Sequence, residues 1–83
     1  MKFPKPQKAA WIAELIGAEL IGTPGALATG INEIHTVMPG DICFVDHPKY
    51  YATCLNSAAT HININAKDQQ VPEGKTIYFS RNP

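Results

Sequence analysis

Apolar residues fall along the chain in short clusters separated by proline- and glycine-rich turns, and the period inside each cluster assigns its element. Trp11, Ile12, Leu15 and Ile16 recur at i, i+1, i+4 and i+5, the face of a helix that Pro6 opens at its first position and Gly17 closes in a left-handed cap. Trp11 on that face is expected in the core. Ala18-Glu19-Leu20-Ile21 reads as a short strand ending at Gly22, Thr23-Pro24-Gly25 as a turn, and a second short strand is expected over 28–31. Residues 32–38 show no clean period and read as a loop or a single helical turn. After the turn Pro39-Gly40-Asp41, Ile42 to Val45 is an unbroken apolar run, the pattern of a buried strand. Pro48 then restarts the chain as a helix, with Tyr51, Cys54, Leu55 and Ala58 on one face.

Thr60 to Asn65 alternates, which sends Ile62 and Ile64 inward and leaves Asn63 and Asn65 to solvent. Val71-Pro72-Glu73-Gly74 is another turn, and Thr76 to Phe79 is the last strand. Strands alternating with two helices predict an α/β fold, a small sandwich of a short mixed sheet with two or more helices. No repeat, low-complexity tract or linker divides the chain, so residues 1–83 form a single domain. Asn82-Pro83 reads as a helix start, a capping residue followed by proline at the first helical position, and marks the chain as a piece of a longer protein.

Length limits the fold to one modest core, since a chain of 83 residues buries roughly 60–65% of the surface it exposes when unfolded. At 45% hydrophobic and 17% charged residues, it belongs with globular rather than disordered chains. Seven Lys plus Arg balance seven Asp plus Glu, and the basic residues are scattered rather than gathered, which argues against a nucleic-acid partner. Cys43 and Cys54 form no C-x-x-C pair, so free thiols in a reducing compartment are expected, with no zinc site and no cofactor. The opening MKFPKPQKAAWIAEL carries charges and prolines where a signal peptide is apolar, and no segment approaches the roughly 20 apolar residues of a membrane span. A cytoplasmic chain follows.

The stretch Cys43 to Tyr51, CFVDHPKYY, concentrates the candidate chemistry. It sets an aromatic residue on each side of a polar turn between a strand end and a helix start, where free backbone N–H groups suit a carbonyl or phosphate oxygen. Phe44, at the end of a buried strand, is by default a core residue. Tyr50 and Tyr51 cannot share a helix face; the register assigns Tyr51 to the core and leaves Tyr50 free. His47 precedes Pro48 where a helix cap belongs, so it either caps or faces a ligand. Lys49 reads as a solvated lysine that could neighbour a phosphate, Asp41 as a residue bonding its own turn, and His35 and His61 as structural or surface residues. Ser57 and Ser80 lie in no nucleophile motif.

These residues carry a resemblance. The run from Trp11 to Phe79, above all Met38-Pro39-Gly40-Asp41-Ile42-Cys43-Phe44-Val45-Asp46-His47-Pro48-Lys49-Tyr50, resembles the amino-terminal domain of UDP-3-O-acylglucosamine N-acyltransferase, an enzyme of bacterial lipid A biosynthesis. Gly17-Ala18-Glu19-Leu20-Ile21-Gly22 matches that family's G-x-x-L-x-G strand. Pro39 to Tyr50 matches its P-G-D-[apolar]-x-F-[apolar]-x-N-P-[KR]-Y segment, with His47 in place of Asn. The resemblance implies a domain similar in fold to the first domain of muramyl ligases, in which Phe44 and Tyr50 sandwich a uracil ring and position 47 bonds its edge. It further implies UDP-3-O-acylglucosamine as ligand. Catalysis, the acyl carrier protein that donates the hydroxyacyl group, and trimerisation would all belong to a second domain, a left-handed β-helix of hexapeptide repeats absent from these 83 residues. On that reading the chain itself is a monomer without catalytic residues.

Two other readings fit the residues. The first domain of a muramyl ligase shares the Pro-Gly-Asp turn, although that family continues with a glycine- and aspartate-containing stretch where His47-Pro48-Lys49-Tyr50 stands. A partner-docking module of no enzymatic role would use the exposed rings to meet protein.

Overall fold

The computed structural model describes residues 1–67 and 69–81, and its order of elements follows the sequence with one addition at the start. That addition is a strand, β1 (Lys2–Lys8), leading into helix α1 (Ala9–Ile16); β2 (Glu19–Ile21), β3 (Leu27–Ile31) and β4 (Asp41–Val45) follow. A 3-10 turn over Pro48–Tyr50 runs into helix α2 (Tyr51–Leu55), and β5 (His61–Ile64) and β6 (Thr76–Phe79) complete a six-stranded sheet of order β1-β3-β4-β5-β6-β2. The four central strands are parallel, while β1 and β2 pair antiparallel at the two edges. The fold is thus α/β with a mixed sheet. The helix start expected at Asn82-Pro83 lies outside the described residues.

Pro6 does not open α1; it lies in β1. Pro4 and Pro6 lack the N–H that a central strand needs on both sides, and β1 is an edge strand whose register against β3 breaks between Lys2 and Gln7. The helix therefore starts three residues later, and its buried stripe is Ala9, Ile12 and Ala13. Small alanines let the backbone approach the sheet closely, so the bulky neighbours stand on the flank: Trp11 is 51% exposed and Leu15 is 67% exposed, not core. Gly17 closes α1 as expected, at φ 69°, with the Ala18 N–H reaching back to the Ala13 carbonyl at 2.9 Å. Gly40 is equally specific to its turn, because at φ 95° an added Cβ would sit 2.5 Å from the Thr29 Oγ1.

The sheet has a packed layer on each face. On one side α1 covers Ala28, Ile42 and Tyr78. On the other, Cys43, Val45, Ile62, Ile64 and Ile77 meet Cys54 and Leu55 of α2. The next small residue of that layer is Ala59, while Ala58 is exposed. This two-sided cover overturns the solvent-facing reading of Asn63. It is buried, and its amide donates to the Tyr78 carbonyl at 3.0 Å and the Ser80 hydroxyl at 2.8 Å. Asn65 is half-buried rather than free. Burial of a parallel strand on both faces makes every side chain interior, whatever its alternation.

Candidate functional site

The carboxyl ends of adjacent parallel strands are where open α/β sheets form ligand crevices. Here a hollow of about 290 Å³ lies beyond the ends of β3 and β4, lined by Glu33, Ile34 and His35 from one connection and Phe44, Asp46, His47 and Tyr50 from the other. Phe44, His47 and Tyr50, singled out along the chain, thus line one hollow.

Phe44 follows Ile42 on the α1 face of β4, but the helix cover stops short of it. The ring is 50% exposed, which overturns its default place in the core. Tyr50, at the end of the 3-10 turn, is 43% exposed, and Lys49 holds its ammonium 5.6 Å from the centre of that ring. Tyr51 takes the opposite part, packing half-buried against the α2 layer as its register requires. Its hydroxyl donates to the side-chain Oδ1 of Asn65, and the Asn65 side-chain amide donates to the Asp46 backbone carbonyl at 3.1 Å. Asn65 therefore ties α2 to the end of β4. Sequence reasoning missed this because such a role depends on which strand stands beside which.

His47 is a cap. Its Nδ1 accepts the Lys49 N–H at 3.1 Å, so in the neutral ring the proton sits on Nε2. The ring meets Tyr50 edge-on, with centroids 6.0 Å apart and planes at 63°. One donor on His47, two aromatic rings, the His35 imidazole and the carboxylates of Glu33 and Asp46 make up the chemistry of the hollow. It suits a flat, hydrogen-bonding, uncharged group more than an anion. Its volume, at the low end for small-molecule sites, matches a single ring with part of its attachment.

Asp41 stays out of the hollow. Buried at the base of β4, it accepts the Met38 N–H at 3.0 Å, the Asn32 amide at 3.2 Å and the Lys2 ammonium at 3.4 Å, the turn-bonding role expected of it. Burial opposes its ionisation, but these donors outweigh burial and hold its carboxyl below the usual range. His61 is structural: its ring bridges the Tyr78 hydroxyl at 2.8 Å and the Leu27 carbonyl at 3.0 Å, and burial pulls it below the ordinary imidazole range against the opposing pull of that carbonyl. His35 lines the hollow from its exposed loop. Among the described residues, no group of three or more His, Cys, Asp or Glu is placed to hold a metal ion, and no helix is long and apolar enough to cross a membrane.

No family model matches the chain. It is similar to proteins named UDP-3-O-acylglucosamine N-acyltransferase: 30% identical over 78 residues to that of Myxococcus xanthus, covering 94% of this chain and 22% of the relative. The Nitrosococcus oceani protein is 31% identical over 72 residues (87% of this chain, 21% of the relative), and that of Syntrophotalea carbinolica 36% identical over 55 residues (66% and 16%). The chain spans about a fifth of the length of these curated relatives.

Proposed function

We propose that this chain is the uridine-recognising domain of a UDP-3-O-acylglucosamine N-acyltransferase acting in lipid A biosynthesis, with a fold similar to the first domain of muramyl ligases. The observation that carries the reading is the meeting of Phe44, His47 and Tyr50 around one hollow at the ends of β3 and β4, in a chain whose relatives bear that name. Stacking of a base on an aromatic face contributes roughly 1–3 kcal/mol without regard to which base it is. His47 adds a directed bond, its Nε2–H donating to a uracil carbonyl. The carboxylates of Glu33 and Asp46 disfavour phosphate inside the hollow, so the diphosphate leaves on the side of Lys49.

In the longer protein the glucosamine amine would be held against a catalytic base of the β-helix, where it attacks the thioester carbonyl of an acyl carrier protein, loses its proton to that base and expels the thiol. This chain contributes position only. It catalyses nothing alone, and trimerisation and carrier-protein binding belong to the remaining segment.

The test is a titration of the 83-residue chain with UMP and CMP, read from amide chemical shifts. Saturable shifts over residues 44–50, stronger with UMP and lost in Phe44→Ala and Tyr50→Ala, are expected. Silence at millimolar UMP would overturn the reading. It would favour the docking module instead, which has one observation of its own: a neighbouring apolar hollow of about 360 Å³ beside Phe3, Trp11, Leu15 and Phe44.

A further inference from the structure

The edge of uracil presents a carbonyl, the N3–H and a second carbonyl side by side, so reading it takes a hydrogen-bond acceptor for N3–H flanked by a donor. Cytosine reverses part of that pattern, because its N3 is a lone pair and an amino group replaces one carbonyl. An Asn at position 47 would offer donor and acceptor from one amide. His47 offers only the donor here, since its Nδ1 is held by the Lys49 N–H and its proton lies on Nε2. The acceptor has to come from another side chain of the hollow.

We infer that Asp46 is the residue that accepts the uracil N3–H, so that the Asp46-His47 pair divides the work of a single amide and sets the preference for uracil over cytosine. This rests on the uridine reading above. Asp46 lies two residues beyond Phe44, directly after the last residue of β4 and directly before His47, and lines the same hollow. Its carbonyl is anchored by the Asn65 amide at 3.1 Å, which fixes the backbone from which the carboxylate projects. No described residue bonds that carboxylate. Glu33, the other carboxylate of the hollow, carries one more rotatable bond, and the imidazole of His35 lacks a carboxylate's charge. An ionised acceptor facing N3 rewards a donor there and repels the lone pair of cytosine.

Neutral nucleosides separate this role from the repulsion of phosphate. The 83-residue chain is titrated with uridine and with cytidine, following amide shifts in the wild type, Asp46→Ala and Glu33→Ala. Uridine preferred by the wild type, a preference reduced about tenfold in Asp46→Ala, where the acceptor is removed, and no reduction in Glu33→Ala are expected. An unchanged preference in Asp46→Ala, its collapse in Glu33→Ala, or equal binding of the two nucleosides by the wild type would each overturn the assignment while leaving nucleoside binding intact. No saturable shift with either nucleoside would overturn the uridine reading and the role of Asp46 with it.

Discussion

Asp41 and His61 are buried polar residues whose neighbours dictate how the fold responds to acid. Replacing Asp41 by Ala leaves the Met38 N–H and the Asn32 amide without their acceptor, at a cost of about 1–3 kcal/mol. Because the folded state lowers the Asp41 pKa, its contribution is present above the unfolded value of about 3.9 and disappears as the pH falls through the folded one. Urea unfolding at pH 7 and pH 3 should therefore show a smaller difference between wild type and Asp41→Ala at the lower pH. His61 acts in a higher window. Its folded pKa is also lowered, so the neutral ring supports the fold fully above its unfolded value of about 6.5, and stability declines as the pH drops below that. His61→Gln should be less stable at pH 7 yet lose less between pH 7 and pH 5; an equal loss in both proteins would show that another group carries the acid sensitivity. His61 was legible in the sequence only as a residue without a catalytic partner. Its bonds reach Leu27 and Tyr78, far away along the chain, and only the packed sheet brings them together.

At the scale of elements, α1 shows how a correct period can point to a wrong face. The apolar recurrence of Trp11, Ile12, Leu15 and Ile16 identifies a helix, but the stripe that meets the sheet is Ala9, Ile12 and Ala13. Ile12→Ala should cost about 2–4 kcal/mol through lost burial and a residual cavity. Trp11→Gln should change stability by no more than about 0.5 kcal/mol, as at an exposed position. Comparable losses in chemical denaturation of the two variants would refute this orientation. The strand–turn–helix unit around His47 was more fully legible, because Pro48 fixes its own backbone and the preceding residue is left to cap. β1 was hidden for the opposite reason: Pro6 reads as the opening of a helix, and Pro4 and Pro6 fit a strand only at an edge, a position that the sequence does not announce.

For the whole molecule, the two cysteines report how the layers hold together. Cys43 on β4 and Cys54 on α2 are both buried in the layer between sheet and helix, and the neighbouring Cys43 together with burial pushes the Cys54 thiol far above its ordinary range. Neither should react with an aromatic disulfide reagent in the native protein, and both should react at once in denaturant. Under native conditions the two should label at the same slow rate, set by global opening. Faster labelling of Cys54 would mean that α2 detaches alone. Such a result would bear on the hollow as well, since Asn65 links α2 to Asp46.

The sequence by itself determined the α/β class, the helix cap at Gly17 and the strand β4, because each follows from short-range constraints of period and backbone freedom, while Phe44, His47 and Tyr50 were singled out together only through the family resemblance. Tertiary structure alone decided that the sheet is covered on both faces, that β1 and β2 close its edges, that Phe44 emerges where α1 ends, and that Glu33, His35 and Asp46 join the rings at one hollow. Those facts depend on which strand lies beside which. Pairing is a contest among long-range contacts that no local pattern records, and it is settled only when both faces of the sheet are buried together.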